Sequence, residues 1–189
     1  MNAKVDKLIP ERGRILISEP FLTDPYFKRT VVLLSEHNDE GSVGFILNKL
    51  TEMKVNEALK DFPQIDAPLY FGGPVQTDTL HYIHKLGLEL PGSKEIAKGI
   101  YWGGDFEVLK LLIDTKQISS DDIRFFVGYS GWEPKQLDNE MNGKSWIVSS
   151  ANEHFAFNDN PRGLWREVLR SMGNEYAIIA NFPEDPSLN

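Results

Sequence analysis

Two apolar, β-branched runs stand four residues apart: TVVLLSEH at residues 30–37 and SVGFILNK at residues 42–49, with NDEG between them. Neither run has the three-to-four spacing of an amphipathic helix, and Asn, Asp and Gly accept the left-handed backbone that a tight reversal requires. The pair predicts a hairpin with a buried face. A hairpin commits the chain to a sheet, and the same β-branched, apolar signature recurs at residues 14–18 (RILIS), 69–71, 80–84, 123–129, 145–149 and 176–180.

Helices are fewer and carry clear boundary signals. Asn160 is an N-cap with Pro161 at the first helical position; Leu164, Trp165, Val168, Leu169 and Met172 share one face, and Gly173 ends the segment. A second helix is expected after Asp105, with Phe106, Leu109, Leu112 and Ile113 at core spacing, and a third after Pro134, with Leu137 and Met141 four apart and Gly143 as its stop. A short one is expected near residues 55–59. Strands grouped early and helices late, without βαβα alternation, give an α+β class. No fixed-period repeat, low-complexity tract or linker divides the chain, so one domain over residues 1–189 is expected.

The composition, 41% hydrophobic against 25% charged over 189 residues, is that of a globular protein. A net charge of -8, from 20 Lys and Arg against 28 Asp and Glu, leaves no surplus for neutralising phosphates, so direct nucleic-acid binding is not expected. The absence of cysteine excludes disulfides, thiolate metal sites and cysteine nucleophiles. Residues 1–18 lack the apolar core of a signal peptide, and no apolar run approaches the roughly 18 residues of a membrane span. A soluble, cytoplasmic protein without membrane attachment is the expectation.

Three stretches share a grammar of aromatics and paired or near-paired glycines: YFGGPV at residues 70–75, IYWGGDFE at 100–107 and GYSGWE at 128–133. Glycines ahead of a helix can turn backbone N–H groups toward an anion, yet Asp105 already supplies the negative charge that would cap those groups itself. Gly72, Gly73 and Pro74 have no such neighbour and are candidates for ligand binding, with Trp132 and Glu133 of the third stretch. Ser130 stands in the strand-to-helix setting of a hydrolase nucleophile, but the glycine needed two residues on is Trp132. GKS at residues 143–145 lacks the earlier glycine of a phosphate loop, where Asp138 stands. His81 and His84, three apart on an expected strand, face opposite sides and make no metal pair. No cofactor motif and no metal site are expected. Asp24, Arg29, His37 and Asn48 border the hairpin runs; either they line one polar pocket, with Arg29 and Asn48 binding ligand and His37 titrating near neutrality, or they cap strand ends.

The stretches DPYFKRTVVLLSEHN, GSVGFILNK, YFGGPVQTDTLHYIH and GYSGWEPKQLDNEM, followed by SWIV, resemble in sequence and order the AlgH/YqgE family of bacterial proteins. The resemblance spans most of the chain and implies an α+β fold whose branched, largely antiparallel sheet is partly rolled into a pseudo-barrel flanked by helices. YWGGDFE and the tail AIIANFPEDPSLN depart from the family pattern. The family has no assigned reaction, and its name records a regulatory link to alginate production. Three functions follow as expectations. The first is a regulatory protein binding a small molecule or a protein. The second is a hydrolase or transferase using His37 or Ser130 with a carboxylate such as Asp24 or Glu133. The third is a transcriptional regulator acting through a partner.

Overall fold

The computed structural model describes residues 8–184, and the expected hairpin is its centre. Strands β1 (Arg14–Ser18), β2 (Val31–Asn38) and β3 (Gly41–Ile46) run antiparallel side by side. They are buried on both faces rather than one. Ile15, Ile17, Val31, Leu33 and Phe45 point into one apolar cluster, while Leu16, Val32, Leu34 and Ile46 point into another. That double burial is why the sequence reads as unbroken apolar runs instead of alternation.

Beyond the hairpin come β4 (Leu50–Lys54), α1 (Val55–Ala58), β5 (Pro68–Phe71) and β6 (Val75–His84). Then follow β7 (Lys94–Ala97), β8 (Ile100–Trp102), α2 (Phe106–Asp114) and β9 (Ile123–Trp132). The chain closes with α3 (Gln136–Asn142), β10 (Trp146–Ser150), α4 (Glu153–Ala156), α5 (Pro161–Ser171) and α6 (Asn174–Ala180). The sheet is α+β, curled and branched: β10-β1-β2-β3-β9-β6-β8-β7 is the main path, and β4 and β5 leave it at β9. Among the described residues all pairings are antiparallel except β5 with β9. No described helix is long and apolar enough to cross a membrane.

Helix α5 obeys its sequence signals: Asn160 caps it through the N–H of Gly163, Pro161 opens it, and Leu164, Trp165, Val168 and Leu169 are buried. The indole N–H of Trp165 donates to the Ser18 carbonyl at 2.9 Å and fixes the helix to β1. Residues 176–180, expected as a strand, instead form α6. Gly173, at φ 110, breaks the helical path, and Tyr176, Ile179 and Ala180 then meet the core at helical spacing. A five-residue apolar run carries no period long enough to separate the two outcomes, and packing against α5 decides it.

Two of the glycine stretches grip each other. A Cβ on Gly72 would lie 2.3 Å from the Gly128 carbonyl oxygen, one on Gly73 2.3 Å from the Tyr129 carbonyl, and one on Gly128 2.5 Å from the Gly73 oxygen. Backbone packs on backbone at a distance that only glycine allows. The remaining stretch, at residues 100–107, is a self-capped turn. Asp105 accepts from the N–H groups of Glu107 and Val108, as its side chain predicts, and Gly103 and Gly104 take positive φ.

That turn is tied to a buried histidine. His84 Nε2 reaches the Gly103 carbonyl at 2.9 Å, while Nδ1 accepts from the N–H of Leu86 at 3.2 Å, which fixes the neutral Nε2–H tautomer. Burial lowers the His84 pKa, opposed in part by the Gly103 carbonyl; His81 is lowered by burial as well.

Two outcomes are expected. In denaturant unfolding, Gly72→Ala should cost about 3 kcal/mol or fail to fold, whereas Gly103→Ala, with open space around its Cβ, should cost only about 1 kcal/mol. A neutral Gly72→Ala would remove the interlock. Because the native state holds His84 neutral while the unfolded chain protonates near pH 6.5, stability should be complete above that pH. It should decline as pH falls below it, and His84→Gln should flatten part of that decline in melting scans at pH 7, 6 and 5.

Candidate functional site

The β2–β3 turn carries two hollows. The larger, about 630 Å³, is walled by Glu36, Asn38, Glu40, Val43, Val75, Tyr129, Gly131, Trp132, Glu133, Pro134 and Gln136, with Gly41 and Ser42. The smaller, about 400 Å³, is walled by His37, Asp39, Lys135, Leu137 and Asp138, and shares Asn38, Gly41, Ser42 and Glu133 with the first. Three carboxylate residues line each hollow, and Lys135 is the only Lys or Arg among the described residues that line either one.

A single extra residue sets which side chains meet here. Leu34 pairs with Gly44, but Glu36 pairs with Val43 and His37 with Ser42, so the register slips by one between Leu34 and Glu36. An unbroken register would place Glu36 opposite Ser42. The bulge places His37 there, and its Nδ1 lies 2.7 Å from the Ser42 hydroxyl. Ser42 was not a candidate from the sequence; only the cross-strand register identifies it.

Trp132 is a wall of the larger hollow and only 5% exposed. Its indole N–H and that of Trp146 both donate to Glu140 Oε2, at 2.9 and 2.7 Å, while Gln136 Nε2 donates to Oε1 at 3.0 Å. Phe27 packs its ring against both indoles. One carboxylate thus locks α3 to the ends of β9 and β10. Glu133, by contrast, is exposed, and its backbone N–H is capped by Gln136.

The remaining sequence candidates serve other contacts. Ser130 is fully buried and donates to the Gly72 carbonyl at 3.0 Å, with no histidine among its described partners, so its hydroxyl braces the glycine interlock. Asp24 accepts from the N–H groups of Tyr26 and Phe27 and closes a local turn. Asn48 accepts from the Val31 N–H and donates to the Arg29 carbonyl, stitching strand ends. Arg29 stacks on Trp165 at 4.6 Å and donates through Nη2 to the carbonyls of Phe182 and Pro183. Burial lowers its pKa. Of the four residues expected to share one pocket or to cap strand ends, Asn48 takes the capping role, Asp24 closes its own turn, Arg29 holds the C-terminal segment, and His37 alone lines a hollow. Gly72 and Gly73 are buried beneath β9, and Pro74 is exposed outside the lining of both hollows. Among the described residues, no three His, Asp or Glu side chains are grouped to hold a metal ion.

Comparison with known proteins places this geometry. The AlgH-like family profile matches residues 15–177. A UPF0301 protein of Chlorobium limicola is 47% identical over 189 residues, covering 100% of both chains, and a UPF0301 protein of Bacteroides fragilis is 45% identical over 185 residues, covering 97% of this chain and 94% of its own. The solution structure of the AlgH protein from Pseudomonas aeruginosa superposes with a TM-score of 0.73 at 25% identity, over 97% of this chain and 98% of that one. The crystal structure of a Corynebacterium diphtheriae protein, DIP2367, gives a TM-score of 0.78 at 20% identity, over 94% and 95% of the two chains. Profile, relatives and fold agree over nearly the whole length: the chain belongs to the AlgH-like family.

Proposed function

We propose that the protein is a small-molecule-binding regulatory protein whose ligand occupies the larger hollow beside the β2–β3 turn. The observation that carries this reading is the shape and chemistry of that hollow. Its volume of about 630 Å³ falls within the range of ligand sites, and its walls combine a few polar groups with the aromatic sides of Tyr129 and Trp132. The walls are also rigid. Gly131 and Trp132 belong to β9, whose end is held by the Glu140 clamp, so little ordering entropy is lost when a ligand enters.

Charge narrows the ligand. Glu36, Glu40 and Glu133 face the space, and no Lys or Arg is among its described lining residues. An anionic ligand would be repelled, whereas an amine or guanidinium would find both carboxylates and an aromatic surface.

A thermal-shift screen of metabolites tests this reading. A binder at a hundred times its dissociation constant adds about 2.7 kcal/mol, which raises the melting point by several degrees. Cationic compounds should supply the hits, and Glu40→Gln with Glu133→Gln should abolish the shift without lowering the melting point of the free protein, because neither side chain makes a described hydrogen bond or ion pair. Hits that are indifferent to those substitutions would place the ligand elsewhere. Trp132→Ala is unsuitable as the sole test, since losing a buried indole costs about 3–5 kcal/mol by itself.

A further inference from the structure

Among the described residues three histidines touch a hydroxyl, and the three contacts are not equivalent. Ser93 stands 3.1 Å from His84, but its proton goes to the Leu90 carbonyl at 2.6 Å. Thr79 stands 3.0 Å from His81, but its proton goes to the Gln76 carbonyl at 2.8 Å. The Ser42 hydroxyl has one described partner, His37 Nδ1 at 2.7 Å. In the Nε2–H tautomer of His37, Nδ1 is the acceptor in this contact and stands where it can receive the proton that a nucleophilic serine must lose. This pair also differs in place: both residues line the smaller hollow, and the β2 bulge is what sets them opposite each other.

We propose that Ser42 is a nucleophile, and His37 its general base, for acyl transfer from a neutral or cationic carboxylic ester. Ser42 Oγ bonds to the ester carbonyl carbon as its proton passes to His37 Nδ1. Collapse of the tetrahedral species breaks the bond to the alcohol oxygen, and that proton leaves with the alcohol. Water then attacks the acyl-serine, giving a proton to Nδ1; the acid departs and Ser42 Oγ takes the proton back. Ester and water become acid and alcohol, with no other reactant. Lys135, in the same lining, supplies positive charge for the developing oxyanion. Asp39, Glu133 and Asp138 exclude substrates that carry a carboxylate of their own. Ser42 lines the larger hollow as well, but the two readings fail separately: one in melting shifts, the other in covalent labelling.

A fluorophosphonate ester with an uncharged tail, incubated with the full chain and followed by intact mass and peptide mapping, tests the proposal. The expected result is one adduct, on Ser42, that is absent from Ser42→Ala and forms at least about 100-fold more slowly in His37→Gln. Hydrolysis of p-nitrophenyl acetate should fall in parallel. Ser42→Cys gives a second reading in a chain that otherwise has no cysteine. Its alkylation by iodoacetamide should slow when His37→Gln is added, whichever single variant proves hard to fold. No adduct at Ser42 on the folded protein, or labelling and alkylation rates indifferent to His37→Gln, would overturn the assignment.

Discussion

Strand β9 holds three neighbours because glycine lets it. Residues 130–132 pair with β3, residues 125–127 lie parallel to β5, and residues 123–129 face β6. A strand has two hydrogen-bonding edges, so a third partner needs one edge divided along its length, and the division falls at Gly128. There the backbone takes φ 66, and the chain of Gly72 and Gly73 crosses at contact distance, each close approach filling space that a Cβ would need. Ser130 donates to the Gly72 carbonyl, and the Ile46 N–H reaches the same oxygen, so the crossing is tied as well as tight.

The hollows are a consequence of where β9 ends. Past the branch, its last residues run alongside β3 and turn into α3, whose position is set by Glu140. A carboxylate accepting from two indoles and a carboxamide is a charged acceptor with neutral donors, an arrangement that strengthens each bond without requiring a buried cation. Removing that carboxylate leaves two buried indole N–H groups unpaired, the costly side of a hydrogen bond. The clamp therefore keeps α3 at a fixed distance from the β2–β3 turn, and the spaces on both sides of the turn persist because their walls cannot close.

Much of the fold was legible in the residues. The hairpin, the Asp105 and Asn160 caps and the apolar faces of α2, α3 and α5 all follow local rules of spacing and capping. What was not legible depended on contacts distant in sequence. Strands β4 and β7 are short and mostly exposed, so they carry no apolar signature, and α6 took the strand-like run YAIIA because α5 packs against it. The glycines of YFGGPV and GYSGWE were visible as special, but whether they faced a ligand or each other is a question of tertiary approach. Arg29, Asn48 and Asp24 were visible as polar groups beside the hairpin, and each found a nearby backbone carbonyl or N–H instead of a shared pocket.

His37 shows how one residue's insertion changes chemistry. In an antiparallel pair, residues opposite each other share a face, so parity along β2 decides what Ser42 meets. Val32 and Leu34 point toward the cluster beneath α3, and regular alternation would send Glu36 there too, opposite Ser42 and next to Leu137. A carboxylate in that place would accept the serine proton in a hydrogen bond but is a weaker base than imidazole. The extra residue, with buried Ser35 tied to the Val43 carbonyl, moves Glu36 to the larger hollow and brings an imidazole to the serine. The same slip that adds Glu36 to one hollow gives the other an imidazole, so a single irregularity in β2 shapes both.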